Sequence, residues 1–296
     1  MSRLRVLCSA TAIAAFAFTA TAHAGPTLDR IKSNKAISIG YREASIPFSY
    51  LETGQKPVGF SLDLCADIVN RLESDLGTKL AVNLVPVNSS NRIPLIQNGT
   101  VDIECGGTSS SKKRLEQVMF SVSTFASQSA WLALSASGLK SPAALKGKVV
   151  VVTQGSNAVG VAQEISRKEK LDLNIAQAKD HAESFLMLTS GRAAAFLEDD
   201  ILLAGLKAQY AKPETLAFIP SQYPKVYYGL MFSKDDPEFK KTVDGVLSGM
   251  MASGKFTKVY DKWFMSPIPP KNINLNFPMS AALKERVAHP SDVVDY

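Results

Sequence analysis

The sequence predicts an α/β chain folded as two lobes joined by two crossings. Three observations predict this. Strand-like and helix-like segments alternate from residue 36 to residue 117. The alternation restarts after Ser141 and Pro142 and runs to residue 220. Beyond Pro224 it yields one more strand and then only helices, so the chain is expected to return to its first lobe. Such alternation implies a mostly parallel sheet covered on both faces.

The elements follow in order. Residues 36–41, AISIGY, form a short strand. Ser61 is expected to cap a helix whose apolar face carries Leu64, Cys65, Ile68, Val69 and Leu72 at helical spacing. Residues 80–87 form a strand, residues 93–98 a short helix ended by Gly99, and residues 101–105 a strand; another helix begins at Lys112. In the second unit a short helix at 143–146 precedes KVVVVT at 148–153, an apolar run suited to a strand buried on both faces. A polar turn, Gln154 to Asn157, leads into a helix at 158–170. Strands at 174–178, 193–197 and 216–220 alternate with helices at 181–190 and 199–211. Residues 226–232 read as one strand, followed by helices at 237–253 and 255–264. The crossings are placed near residues 126–130 and 224–228. The lobes are then 25–128 with 227–296, and 129–226, with the cleft between them as the ligand site.

The first 24 residues read as a secretory signal peptide. Arg3 and Arg5 precede an apolar run of small residues, and Ala22, His23 and Ala24 form a small-x-small cleavage site. The run is too short to span a bilayer. An exported protein, expected as a monomer, follows. Its apolar fraction of 46% is ordinary for a globular chain. The net charge is +6, two units of which come from Arg3 and Arg5. That modest excess favours small anions. It forms no basic block with interleaved aromatics, so nucleic acid is excluded as a partner. Only His181 and His289 remain after the leader, far apart, so no metal cluster is expected, and neither a phosphate loop nor a nucleophile elbow is present. Cys65 and Cys105 can pair in an oxidising compartment or stand as two buried thiols.

Residues 88–123 carry the chemistry. Arg92 and Arg114 each sit beside short hydroxylated residues. A guanidinium offers a planar fork that matches a carboxylate, and Ser and Thr hydroxyls can fill its remaining lone pairs.

The segments YREASIPFSY, SSNRIPLIQNGTVDIECG, VVVTQGS, AKDHAESF, GRAAAFLEDDILLAG and KWFMSPIPPKNINLNF resemble the periplasmic glutamate/aspartate-binding proteins of ABC importers, within the family 3 solute-binding proteins. Each motif is weakly specific, but their order and spacing from Thr27 to about Pro278 are highly specific. The resemblance implies a two-lobe, Venus-flytrap fold of the periplasmic-binding-protein type. It also implies delivery of an amino acid to a membrane permease, with no cofactor. By the same resemblance Arg114 grips the α-carboxylate with Thr108 and Ser109, and Asp199 holds the α-ammonium. Arg42, Ser89, Arg92 and His181 match residues that hold an acidic side chain. Ser156 and Asn157 open a helix and can offer N–H groups to an anion. Two departures stand out: Gly107 where the family often has serine, and Glu198 beside Asp199.

A binding protein without chemistry of its own is the expectation, with glutamine or asparagine as alternative ligands. Periplasmic dehydratases of aromatic-amino-acid precursors resemble the family too, and Glu198 is the one candidate for their general acid. Two further expectations follow. A bound carboxylate should favour the proton on His181, so affinity should hold or rise from neutral pH towards 6. Replacing Arg92 with Met should narrow the gap between glutamate and glutamine more than it alters stability.

Overall fold

The computed structural model describes residues 26–234 and 236–294; the signal-peptide expectation lies outside them. The chain runs α1 (Pro26–Asn34), β1 (Ala36–Tyr41), β2 (Ala44–Ser45), β3 (Ser49–Leu51), β4 (Pro57–Val58), α2 (Phe60–Leu76), β5 (Ala81–Pro86), α3 (Arg92–Gln97), β6 (Ile103–Glu104), α4 (Lys112–Leu115) and β7 (Val118–Phe120). It continues through β8 (Phe125–Leu134), β9 (Val149–Thr153), α5 (Ala158–Lys168), β10 (Asn174–Ala178), α6 (His181–Thr189), β11 (Ala195–Asp199), α7 (Asp200–Gln209) and β12 (Leu216–Ile219). It ends with β13 (Lys225–Tyr228), β14 (Met231–Ser233), α8 (Pro237–Ala252), α9 (Lys255–Phe264), β15 (Pro267–Ile268), β16 (Ile273–Asn274) and α10 (Ala281–Ala288).

Two sheets carry the fold. The first has the order β5-β1-β6-β14-β7, with β1 parallel to β5 and β6 and with β14 antiparallel to β6 and β7. The second has the order β10-β9-β11-β8-β12, with β9 parallel to β10 and β11 and with β8 antiparallel to β11 and β12. The long strand β8 joins them. Its first residues pair with β13, Phe125 opposite Tyr228 and Gln128 opposite Lys225, before the rest enters the second sheet. These two adjacent strands lie where the sequence places the crossings.

The valine run shows why the second sheet forms. Val150 and Val152 pack with Trp131, Ala195 and Leu197 on one face. Val151 packs with Leu132, Phe196 and Leu203 on the other. A strand buried on both faces has no polar side to alternate with. The first sheet packs on α2, α8 and α9 around an aromatic cluster. Tyr260 stacks on Phe264 at 4.2 Å, and Phe48 meets Phe125 edge-on at 4.9 Å. Full burial of each such ring contributes about 1.5–3 kcal/mol.

Several local readings are corrected. Ser61 does not cap α2; Gly59 does, at φ 146°, where a Cβ would lie 2.1 Å from the Phe48 carbonyl oxygen. The Ser61 hydroxyl instead donates to the Gly106 carbonyl at 2.9 Å. Residues 226–232 are two strands, because β13 stays with β8 while β14 turns into the first sheet between β6 and β7. The small antiparallel sheet β2-β3-β4 and the helices α1 and α10 were not foreseen. Helix α10 fully buries only Leu283, which is too little apolar pattern to read in advance.

Cys65 and Cys105 form a disulfide that closes a separation of 40 residues and ties α2 to the end of β6. Two free thiols were the other reading. A thiol count on denatured, unreduced protein cleaved at the leader should therefore find none. Cys65→Ala should lower stability by about 2–4 kcal/mol, the usual contribution of a bond closing such a loop.

Candidate functional site

The polar side chains singled out from the sequence converge at the carboxyl ends of the parallel strands, where α/β sheets place their ligands. Arg42 follows β1. Ser89 and Arg92 follow β5, with Arg92 opening α3. Gly107, Ser109 and Arg114 follow β6, and Ser111 caps α4 by accepting the Arg114 backbone N–H. From the second sheet, Ser156 and Asn157 follow β9. His181 opens α6, which Asp180 caps, and Glu198 and Asp199 end β11. Apart from the capping residues Ser111 and Asp180, all of these line one small polar cavity, together with Leu202.

Nine of the ten residues expected in the site line that cavity: Arg42, Ser89, Arg92, Ser109, Arg114, Ser156, Asn157, His181 and Asp199. Thr108 is not among the lining residues. Its hydroxyl donates to Glu104 Oε2 at 2.7 Å and accepts a hydrogen bond from Arg92 Nη1, so it braces the arginine from behind.

The three guanidiniums are held differently. Arg114 Nη1 donates to the Ser109 carbonyl at 2.7 Å and to its hydroxyl at 2.8 Å, and Nη2 reaches the Gly155 carbonyl at 3.2 Å. Arg42 Nη2 donates to the Ser89 hydroxyl at 3.1 Å. Arg92 Nη1 lies 3.7 Å from Glu104 Oε1. Arg42 Nη1 and Arg92 Nε are buried without a hydrogen-bond partner in the protein. Burial, followed by the charge of Arg92, lowers Arg42 and Arg114 to about 10, which leaves both cationic at neutral pH.

The acids respond to the same burial in the opposite sense. Asp199 is pushed up to about 6, chiefly by desolvation, although it accepts a hydrogen bond from the Tyr228 hydroxyl. Glu198 is raised to about 7 by burial and by its neighbour Asp199. His181 shares a 2.9 Å hydrogen bond with the Thr153 hydroxyl through Nδ1, which also lies 3.6 Å from Glu198 Oε2. Burial, Arg42 and Arg92 hold His181 well below the usual imidazole range, so it is neutral here. The imidazolium expected from the sequence is disfavoured by the two arginines it was to assist.

Three residues escaped the sequence reading. Glu104, fully buried, is the counter-charge beneath Arg92. Its signal was faint: it is one of two acids in the segment 101–105, and two residues on comes Gly106, where a Cβ would lie 2.1 Å from Glu104 Oε1. Tyr228 reaches Asp199 from the far side of the chain order, and Leu202 supplies an apolar wall. Gly107 also finds its reason. A Cβ there would meet the Phe48 ring at 3.0 Å and the Tyr228 ring at 3.3 Å, so these aromatics occupy the room a larger residue would need.

The two walls touch at Gly155. Its φ is +74°, and a Cβ would fall 2.7 Å from the Ser89 carbonyl group. The Ser90 hydroxyl donates to the Gln154 carbonyl, 3.1 Å away, at the same seam. Gly155→Ala should leave the fold intact but oppose closure, through backbone strain and a backbone collision. Binding should weaken at least ~10-fold, or ~1.4 kcal/mol, by titration. Unchanged affinity would mean that the walls need not approach this closely.

Two α/β lobes, a pair of adjacent crossing strands and a closed polar cavity define a two-lobe binding protein. The family model described as "Bacterial extracellular solute-binding proteins, family 3" matches residues 37–266, and the chain belongs to that family. It is 43% identical over 270 residues to the "Glutamate/aspartate import solute-binding protein" of Escherichia coli (strain K12), spanning 91% of this chain and 89% of that one. It is 46% identical over 268 residues to the "L-glutamate/L-aspartate-binding protein" of Pseudomonas aeruginosa, spanning 90% and 89%. Among solved structures, an ancestral arginine-binding protein bound to arginine is similar with a TM-score of 0.69 and 26% identity, covering 78% of this chain and 98% of that one. A Streptococcus pneumoniae ABC uptake transporter binding protein with bound histidine shares the fold with a TM-score of 0.74 at 20% identity, covering 82% and 98%. Among the described residues no metal-ligating cluster occurs, and no helix is long and apolar enough to cross a membrane.

Proposed function

We propose that this protein captures an acidic amino acid, L-glutamate or L-aspartate, in the periplasm and delivers it to the membrane permease of an ABC importer. The lobes are residues 25–128 with 227–296, and residues 129–226, and the ligand closes them by touching both. Arg114 takes the α-carboxylate with Ser109. Asp199, positioned by Tyr228, takes the α-ammonium. Arg42 and Arg92 take the side-chain carboxylate, supported by Ser89 and His181, while Ser156 and Asn157 offer polar groups from the second wall. Neutral His181 can still donate one hydrogen bond.

The carrying observation is the pair of unpartnered guanidinium N–H groups, Arg42 Nη1 and Arg92 Nε, buried at this cavity. Buried donors without acceptors are costly, and a second carboxylate on the ligand satisfies them where an amide satisfies them less well. The names of the relatives support the same ligand class. Calorimetric titration of the leader-free protein against all twenty amino acids tests the reading. Glutamate or aspartate should bind tightest. Equal binding of glutamine and glutamate would leave a general polar amino-acid binder as the better account.

One observation favours a second reading. Glu198 is a buried cavity acid raised to about 7, the property a general acid needs. Incubation with arogenate or prephenate separates the readings: an aromatic product would place the chain among dehydratases.

A further inference from the structure

The cavity holds a carboxyl group for which the amino-acid reading has no use. Glu198 is 3% exposed and lines the cavity, and its Oε2 has no hydrogen-bond partner. Oε1 accepts the backbone N–H of Asp199 at 3.2 Å. The charged and titratable groups around it come from every wall. They are Asp199 at the end of β11, His181 from α6, Arg42 after β1, Arg114 from α4, and Tyr228 from β13. Arg92, with Glu104 beneath it, completes the set.

The formal charges of this cluster decide what an anion does to it. Arg42, Arg92 and Arg114 balance Glu104, Glu198 and Asp199, with His181 neutral. An acidic amino acid carries two carboxylates and one ammonium, so it adds one net negative charge. An uncompensated charge in a closed cavity is costly, and the usual response is that a group changes protonation. Glu104 is held by Thr108 and Arg92, and Asp199 by Tyr228 and then by the ligand's ammonium. Glu104 Oε1 also lacks a hydrogen bond, but it lies 3.7 Å from the Arg92 guanidinium, whereas the unpartnered Glu198 Oε2 has the neutral His181 ring at 3.6 Å.

Building on the acidic-ligand reading above, we infer that the protein binds an acidic amino acid together with one proton, taken from solvent onto the Glu198 carboxylate. The neutral carboxyl then has an O–H to donate to the ligand's carboxylate. Neutral amino acids add no net charge and bind without the proton. Burial and Asp199 already place Glu198 at about 7 in the free protein, and a bound anion raises it further.

The sign follows from linkage. Between about pH 6, below which Asp199 takes up its own proton, and about pH 7 the free protein already holds the Glu198 proton, so affinity for glutamate is level; above about pH 7, affinity falls by up to about tenfold per pH unit. Calorimetry at about pH 8, in two buffers of different ionisation enthalpy, counts the protons taken up. Close to one is expected for glutamate and close to none for any neutral amino acid that binds. Glu198→Gln should abolish the uptake and leave glutamate affinity level from about pH 6 to about pH 9, several-fold above wild type at the alkaline end. If that variant does not fold, difference infrared spectroscopy of the wild type decides. A neutral-carboxyl band must grow when glutamate binds at about pH 8. Glutamate bound without proton uptake overturns the inference. Uptake that survives in Glu198→Gln and disappears in His181→Asn puts the proton on the histidine and also overturns it. Absence of glutamate binding at every pH overturns the functional reading instead.

Discussion

Arg114→Ala should weaken the binding of every amino acid, acidic or neutral, by at least ~2 kcal/mol, roughly thirtyfold. The α-carboxylate is common to all of them, and Arg114 is the guanidinium that the second wall also touches, through the Gly155 carbonyl. Removing it leaves the ligand's carboxylate desolvated against Ser109 alone. It also deletes a bond across the closed seam, so the closed form itself is less favoured. Arg114→Lys keeps the charge without the two-pronged fork and should recover only part of the loss. Titration with glutamate and with glutamine reads both effects. If Arg114→Ala binds amino acids normally, the α-carboxylate lies elsewhere in the cavity. A loss confined to glutamate would move Arg114 to the side-chain subsite.

How much of this was legible in the sequence depends on how local the signal is. The valine run 149–152 and the alternation around it are local, and they specify the second sheet. Polar residues just past the strand ends are local too, so nine of the ten expected residues could be found before any coordinate. What the sequence concealed depends on distant chain segments meeting. Tyr228 reaches Asp199 only because β13 pairs with β8. The close approach at Gly155 reads as an ordinary turn until Ser89 is seen against it. The disulfide could not be chosen over two thiols until the Cα atoms were known to stand 6.4 Å apart. His181 lines the cavity, but it is neutral there and not the imidazolium the sequence suggests. The motif can suggest a place beside a ligand carboxylate, but it cannot show burial beside two arginines.

The second large effect lies at Arg92, and here the structure reverses the sequence expectation. Arg92→Met should narrow the gap between glutamate and glutamine, because one of the two guanidiniums proposed to take the side-chain carboxylate is lost. It should also destabilise the protein by about 3 kcal/mol, as breaking one side of a buried ion pair does. Glu104 is the reason. It is fully buried, 3.7 Å from Arg92 Nη1, and linked to the same guanidinium through the Thr108 hydroxyl. Arg42 also acts on this pair electrostatically, yet no hydrogen bond joins it to Glu104 among the described residues. With Arg92 gone, Glu104 keeps a hydroxyl donor and little else. The double variant Arg92→Met with Glu104→Met removes the stranded charge and should recover most of the stability, since an apolar pair of similar volume often replaces a buried ion pair at no cost. It should not recover selectivity. Urea unfolding gives the stability of the two variants and titration gives the ratio of glutamate to glutamine affinities. A single variant as stable as wild type would show that Glu104 does not depend on Arg92. A double variant that regains full preference for glutamate would show that Arg42 alone reads the ligand's second carboxylate.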